Sequence, residues 1–257
     1  METKSEKIFT LEKEKFGQNV EIHAIFVRHG EKDASGKLTE EGKKQAAEFG
    51  KSLESKDAIK GYSSSIERVV ETVEQIIKNS PNDKKLKTRI RTELSIPPVS
   101  QEFLKEFREK EKEGHGKAIK WFLDFGIKKP DSGTDSPHEI AESFAYVLMK
   151  YFKMADKLYS GSDIDLVNGT HQGFPESLLM YVLKRKTDNK EVVGFDDVDE
   201  IGGALKFTEG MEFIVKTEEQ GDKKLTVNFR GQEYDIDMEK LKELAESYVC
   251  RKKIKKT

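Results

Sequence analysis

The chain contains few of the residues on which several classes of protein depend. Its 257 residues include a single cysteine, Cys250, which excludes an intramolecular disulfide framework and is typical of a reducing compartment. No apolar run is long enough to cross a membrane, and the charged residues 1–15 lack the apolar centre of a secretory signal. We therefore expect a cytoplasmic protein that has no membrane partner.

The chain also has no large excess of positive or negative charge. The 46 lysine and arginine residues nearly balance the 48 aspartate and glutamate residues, which leaves a net charge of -2 at pH 7. Such a balance creates no strong field that would attract nucleic acid. The five histidines are scattered, and no group of His, Cys, Asp or Glu has the spacing of metal ligands. The sequence therefore predicts no nucleic-acid partner, no metal and no cofactor.

The most informative residues that are present lie directly after a largely apolar run at positions 22–27, which predicts a buried strand. In open α/β sheets, ligands bind at the carboxyl ends of the strands. Arg28 offers a planar fork of donors that matches phosphate oxygens, and His29 offers a nitrogen that is nucleophilic near neutral pH. Gly30 removes a Cβ where the backbone would pass close to a ligand. These residues predict a site where a phosphate is held and attacked.

Strand and helix patterns alternate over the first three quarters of the chain. Residues 38–47 predict a helix with Thr39 as its N-cap, a second helix begins near Ser65, and Ser136 caps another. This alternation predicts an α/β fold of three layers, α/β/α, around a mostly parallel central sheet.

Two segments differ from this pattern. A charged helix and a shorter helix form an insertion that is expected to overhang the site. Later, apolar and polar residues alternate between Leu205 and Ile236, which predicts a β-meander, and Asp237 caps a final helix. We interpret the meander as an extension of the sheet or a flap at its edge, because its length is marginal for independent folding. The predicted organisation is one domain, 1–257, with a core at 20–190, the insertion at 100–130, and the meander with its helix at 191–250.

Arg28, His29 and Gly30, together with residues 38–46 (Leu-Thr-Glu-Glu-Gly-Lys-Lys-Gln-Ala), resemble the signature of the histidine phosphatase superfamily, the phosphoglycerate mutase-like group. Residues 62–72 resemble the family's Ser-Ser-Pro-Leu-x-Arg-Ala-x-Gln-Thr segment, which places its second phosphate-binding arginine at Arg68. Ser65 stands where the family usually has proline, and Glu71 where it usually has glutamine.

A third segment, residues 164–171, resembles the strand that delivers the family's second active-site histidine, here His171. The residue after it is commonly glycine in the family and is Gln172 in this chain. The resemblance covers roughly residues 20 to 185 with the motifs in the family's order. It implies a metal-independent phosphatase in which His29 forms a phosphohistidine while Arg28, Arg68 and His171 neutralise the phosphoryl oxygens. The implied ligands are a small phosphorylated substrate or a phosphoprotein, and phosphate or another oxyanion.

The resemblance also implies a carboxylic acid that protonates the leaving group. Glu93 and Glu102 lie in the expected region, and we favour Glu102 because it begins a helix that could point back at the cleft. The alternative for Glu102 is a first-turn residue that complements the helix dipole. A site with no acid would need a substrate with a good leaving group. Two other functions stay open: a phosphoglycerate mutase-like phosphotransferase and a catalytically inactive phospho-ligand-binding relative.

Overall fold

The structure is a computed structural model that describes residues 15–114, 116–187 and 190–254. The strands in these ranges are β1 (Glu21–Arg28), β2 (Ala58–Ser63), β3 (Lys85–Ile90), β4 (Asp163–Thr170), β5 (Lys184–Thr187), β6 (Lys190–Val193), β7 (Gly210–Thr217), β8 (Lys223–Phe229) and β9 (Gln232–Asp235). The helices are α1 (Glu40–Ser52), α2 (Glu67–Asn79), α3 (Gln101–Lys112), α4 (Lys117–Leu123), α5 (Pro137–Met154), α6 (Phe174–Val182) and α7 (Met238–Ile254), with short 3-10 turns at Thr92–Leu94, Ala155–Lys157 and Val198–Ile201.

Seven strands form one sheet in the order β3-β2-β4-β1-β7-β8-β9, and β5 pairs with β6 in a separate small hairpin. The first four strands of this order are parallel, and the meander β7-β8-β9 adds antiparallel strands beside β1. The predicted fold class is therefore confirmed, and the meander is an extension of the sheet and not a flap.

Side chains of β1 alternate between the two faces of the sheet, as the two-residue period of a strand requires. Ile22 and Phe26 pack in the larger core, which is covered by helices α3 to α7. Ile25 and Val27 pack in a smaller core on the other face, under α1 and α2. The two cores on opposite faces produce the three layers.

Three predicted helix caps are present. The Thr39 hydroxyl accepts a hydrogen bond from the Gly42 N–H, and Ser136 forms a capping box with Glu139. The Asp237 carboxylate accepts hydrogen bonds from two N–H groups in the first turn of α7. Each cap pairs backbone donors that a helix cannot satisfy internally.

The first strand of the meander begins later than the sequence pattern predicts. Strand β7 starts at Gly210, whereas Leu205 and Phe207 belong to an irregular segment before it. Their apolar side chains are buried or half-buried because this segment folds back over the end of β1, where the Thr208 N–H donates to the carbonyl of Arg28. The alternation that predicted a strand here thus reflects burial against the end of β1.

Candidate active site

Arg28, His29, Arg68 and His171 line one cavity of about 170 Å³ at the carboxyl edge of the sheet. Arg28 ends β1 and pairs in register with Thr170, so His29 and His171 follow neighbouring parallel strands. The centroids of the two imidazole rings are 5.6 Å apart. Arg68 reaches the same cavity from the first turn of α2, which follows β2. Parallel strands end at one edge, which explains why residues distant in sequence meet here.

The hydrogen bond of His29 fixes which of its nitrogens carries the proton. Its Nδ1 lies 2.8 Å from the carbonyl oxygen of Gly30, and a carbonyl can only accept, so Nδ1 donates. Burial, together with the neighbouring charges of Arg68 and Arg28, lowers the pKa of His29 to about 3 against the opposing effect of the Gly30 hydrogen bond. At neutral pH the ring is therefore uncharged, and Nε2 keeps a free lone pair.

The two arginines form a cationic end of the cavity. Arg28 is buried, donates from Nη1 to the Leu205 carbonyl oxygen at 2.7 Å, and lies 4.1 Å from the centroid of the Phe207 ring. Burial lowers the pKa of Arg28 to about 10 and also lowers that of Arg68, so both keep their charge at neutral pH. Among the described residues, neither Nε atom has a hydrogen-bond partner. A buried and a half-buried guanidinium group, each with a free Nε donor, suit an anion with several oxygens.

His171 is the fourth polar group of this end. Its Nε2 lies 3.2 Å from the hydroxyl oxygen of Ser64, and its ring packs 5.6 Å from that of Phe174. Burial lowers the pKa of His171 well below its usual value, and His29 and the two arginines add to this effect. The imidazole is therefore neutral in the free protein, and a bound anion would favour its protonated form.

Gly30 has a different role from the one its motif suggested. It does not line the cavity, and a Cβ built on it would lie 2.5 Å from the carbonyl oxygen of Gly42 in α1. A Cβ on Gly42 would in turn lie 2.3 Å from the carbonyl oxygen of Glu31. Glycine is required at both positions for the close approach of α1 to the loop after β1, and not for contact with a ligand.

Polar residues of the two sequence motifs fix the loop that carries His29. The Thr72 hydroxyl accepts from the Gly30 N–H at 3.1 Å and donates to the carbonyl of Arg68 at 2.7 Å. The Gln45 side-chain oxygen accepts from the Glu31 N–H at 3.0 Å. These bonds join α1, α2 and the loop, so they set the position of Arg68 relative to His29.

The backbone of Leu205 links Arg28, Gln172 and Glu176 by hydrogen bonds, which the sequence did not predict. Its carbonyl oxygen accepts from Arg28 and, at 2.7 Å, from the Gln172 side-chain amide. Its N–H donates at 2.9 Å to Oε1 of the fully buried Glu176, whose Oε2 accepts from the Gly173 N–H. Burial raises the pKa of Glu176, while these hydrogen bonds and the charge of Arg28 favour its ionised form. No sequence signal separates this buried carboxylate from a surface residue in the first turn of a helix.

The structure does not bring Glu102 to the cavity. Glu102 is exposed in the first turn of α3, and Glu93 accepts a hydrogen bond from Lys150 outside the cavity. The preference for Glu102 was wrong because its position on α3 turns it away from the face that Leu104 and Phe107 present. Glu111 continues that face, since it lies seven residues after the first and four after the second.

Two carboxylates do line the cavity, Glu111 and Asp135. Asp135 precedes α5 and lies 3.3 Å from the Arg251 guanidinium and 3.7 Å from the Lys129 ammonium. The helical spacing of the inward residues of α3 could have identified Glu111 from the sequence. The ion pair of Asp135 with Arg251 depends on tertiary packing between α7 and the start of α5.

Beyond its polar end the cavity is apolar. Side chains from α3, α4, α5, α6 and the loop before α3 line it: Ile96, Pro97, Val99, Phe103, Leu104, Phe107, Ile119, Phe122, Ile140 and Phe174. Within the described ranges, no group of three or more His, Cys, Asp or Glu side chains is arranged to hold a metal ion. Over the same residues, no helix has the length and apolar character needed to span a membrane.

Comparison with known families shows to which family this fold and these motifs belong. The model of the histidine phosphatase superfamily (branch 1) matches residues 24–198. The chain belongs to this superfamily. The match includes both histidines and both arginines of the cavity. No curated protein matches the sequence of this superfamily member.

Solved structures share the fold at low sequence identity. Mycobacterial hydrolase 1 superposes with a TM-score of 0.54 at 15% identity, covering 82% of this chain and 99% of its own. Mycobacterial hydrolase 2 gives 0.54 at 15% identity, covering 89% and 98%. A mycobacterial glucosyl-3-phosphoglycerate phosphatase gives 0.51 at 15% identity, covering 80% and 97%. These similarities support the superfamily fold and extend over nearly the whole of each related chain.

Proposed function

We propose that this chain is a phosphatase that hydrolyses a phosphomonoester or a phosphorylated residue through a phosphohistidine on His29. The observation that carries the proposal is the hydrogen bond from His29 Nδ1 to the Gly30 carbonyl, beside the buried Arg28 and the half-buried Arg68. It leaves Nε2 as an unprotonated nucleophile, and the arginines neutralise the phosphoryl oxygens that would repel it.

The reaction then proceeds in two displacements. His29 Nε2 attacks phosphorus, the bond from phosphorus to the ester oxygen breaks, and the leaving oxygen takes a proton from an acid. A water molecule next attacks the phosphohistidine, gives a proton to the base thus formed, and breaks the bond from phosphorus to nitrogen. Inorganic phosphate leaves and His29 returns to its neutral form. Arg28, Arg68 and His171 hold the phosphoryl oxygens in both steps.

Glu111 is the proton donor in this proposal. It lines the cavity on the same helical face as Leu104 and Phe107. Asp135 is the alternative, and it is less suited because it is already engaged in ion pairs with Arg251 and Lys129. Glu102, which is exposed on α3, serves as a matched control for either carboxylate.

The test is hydrolysis of p-nitrophenyl phosphate in the presence of a chelator. The wild-type protein should turn over, and vanadate or phosphate should inhibit it, because these oxyanions present the same oxygens as the phosphoryl group. His29→Ala should lose nearly all activity and all labelling by a radioactive phosphoryl donor quenched at alkaline pH. His138→Ala, which lies outside the cavity, is the control, and thermal unfolding checks that both variants are folded.

Near-normal turnover by His29→Ala would contradict the mechanism. Activity that vanishes with chelator and returns with magnesium would indicate a different phosphatase chemistry. Complete inactivity of the folded wild-type protein, with oxyanion binding retained, would favour the phospho-ligand-binding alternative. The phosphotransferase alternative is less supported, because apolar side chains, and not a second set of cations, line the cavity beyond the phosphate end. A cytoplasmic location stays a prediction.

A further inference from the structure

The wall of the cavity beyond the two arginines indicates which leaving groups the site can bind. Phe103, Phe122 and Phe174 are buried there, and Phe107 is half-buried. Aliphatic side chains fill the space between these rings, among them Ile119. Such walls stabilise apolar groups and offer nothing to the hydroxyl groups of a sugar, whose burial without partners is costly.

The polar side chains near this wall are already engaged. The Thr134 hydroxyl donates to Asp131 and accepts from the Ser100 N–H. Gln172 donates to the Leu205 carbonyl, and Asp135 is paired with Arg251.

Two polar side chains of the cavity remain, Lys32 and Glu111. They also border an adjoining cavity that Arg28, Phe107 and Ile119 line. A substrate rich in hydroxyl groups would therefore find few free partners beyond the phosphate.

The size of the cavity limits the group that enters it. Its volume is about 170 Å³. An apolar cavity of about 150 Å³ is enough to hold one benzene molecule. Because this volume includes the phosphate end, the apolar part has room for one ring at most and not for a fused ring system.

We propose that the site takes phosphate esters whose leaving group is a compact apolar ring, of the phenyl or benzyl type, in preference to esters of sugars, glycerate or glycerol. Where it is stated as a difference in kcat/KM, this inference rests on the proposed phosphatase function. The ring would come from a small aryl phosphate or from a phosphorylated tyrosine side chain, since both present the same chemistry.

The first experiment compares esters of primary alcohols, because their leaving groups need similar help from an acid. The value of kcat/KM for benzyl phosphate should exceed that for glycerol 3-phosphate, 3-phosphoglycerate and glucose 6-phosphate by about tenfold or more, the discrimination that burial of one apolar group gives. Equal or higher values for any of the polar esters would overturn the inference.

The second experiment measures binding without turnover, so it separates this inference from the proposed function. Benzylphosphonate should bind the wild-type protein about tenfold more tightly than 2-hydroxyethylphosphonate. Tight binding of benzylphosphonate by a protein that hydrolyses none of the esters would refute the phosphatase function and support the ring preference. Equal binding of the two phosphonates would refute the preference even in an active enzyme.

Variants of a wall residue test whether the apolar wall causes the preference for a ring. Phe107→Ala should lower the ratio of kcat/KM for benzyl phosphate over glycerol 3-phosphate about tenfold, and Phe107→Leu should restore part of it. Phe16→Ala is the matched control, because Phe16 is half-exposed and lies outside the cavity. An unchanged ratio in a folded Phe107→Ala protein would contradict the proposal.

A final comparison distinguishes the two sources of the ring. Phenyl phosphate and a tyrosine-phosphorylated peptide have similar phenol leaving groups. A higher kcat/KM for the peptide would identify a protein substrate, whereas an equal or lower value would identify a small molecule, and each result supports the ring preference. Failure of both substrates, with polar esters hydrolysed, would refute it.

Discussion

Gly30 and Gly42 approach each other so closely that neither position has room for a side chain. A Cβ on Gly30 would lie 2.5 Å from the carbonyl oxygen of Gly42, and the reverse clash is with the Glu31 carbonyl at 2.3 Å. One glycine follows the proposed nucleophile and the other lies in the first turn of α1. The two glycines of the sequence signature therefore form a contact between backbones that sets the position of His29.

We expect Gly30→Ala to destabilise the protein by about 1–3 kcal/mol, the usual cost of overpacking a close contact, and to lower activity. The obstacle is backbone, so it cannot move aside as a flexible side chain would. Urea denaturation measures the first effect. Gly133→Ala is the control, since a Cβ there would meet only ordinary contacts at 3.4 Å and beyond. Equal stability of both variants would contradict this account of Gly30.

Arg68→Lys keeps the charge of the proposed phosphate clamp and removes its fork of donors. We expect kcat to fall about 100-fold, the scale measured when one preorganised donor to a transition-state oxygen is lost. Arg108→Lys, an exposed substitution on α3, should leave kcat unchanged. Full activity of Arg68→Lys would show that charge alone is sufficient at this position.

Glu111→Gln tests the proton donor through the leaving group. Loss of an acid matters most when the leaving oxygen is basic, so activity on benzyl phosphate should fall about 100-fold while activity on p-nitrophenyl phosphate should change little. Glu102→Gln should affect neither substrate. If Asp135→Asn shows this dependence on the leaving group and Glu111→Gln does not, the donor is Asp135.

Glu176→Gln tests the hydrogen bonds at Leu205. The substitution keeps the shape, but an amide donor would face the N–H of Leu205 or of Gly173, so one of the two hydrogen bonds must be lost. Because the Leu205 carbonyl also orients Arg28, we expect a lower kcat with a smaller change in KM. A loss of thermal stability with unchanged kinetics would assign Glu176 a purely structural role.

His23 is predicted to make stability depend on pH at the opposite end of β1. Its ring contacts the carboxylates of Glu212, Glu21 and Asp163, while Lys56 lies near enough to oppose them. Burial lowers the pKa of His23, but the hydrogen bond and charge of Glu212 outweigh it, so the net shift is upward.

A histidine whose pKa is raised on folding stabilises the protein fully at a pH below its pKa in the unfolded chain, about 6.5. This stabilisation is lost as the pH rises through its pKa in the folded protein. Chemical denaturation should therefore show a larger deficit for His23→Gln at pH 5.5 than at pH 8.5. A deficit that is independent of pH would contradict the assignment. Asp165, whose pKa burial raises to about 6 while the charge of His23 opposes this shift, titrates nearby, so the difference between the two proteins reports His23 together with its coupling to Asp165.

The sequence by itself determined the elements and the cluster of Arg28, His29, Arg68 and His171. The arginine and histidine at positions 28 and 29 and the second histidine follow parallel strands, and Arg68 begins the helix after a third one. Strand ends of a parallel sheet meet at one edge, so the resemblance of these local motifs to those of the superfamily was enough to predict the cluster. The caps at Thr39, Ser136 and Asp237 were equally local, because a cap needs only the residues of its own turn.

Only the tertiary structure decided what surrounds that cluster. Phe207 fits the alternation of a strand, yet it packs on Arg28 because its segment folds back over the end of β1. The fully buried Glu176 cannot be told from a surface residue by its type, and the ion pair of Asp135 with Arg251 joins the start of α5 to α7. These outcomes depend on how helices rotate and pack against the sheet, a long-range property that no short pattern in the chain encodes.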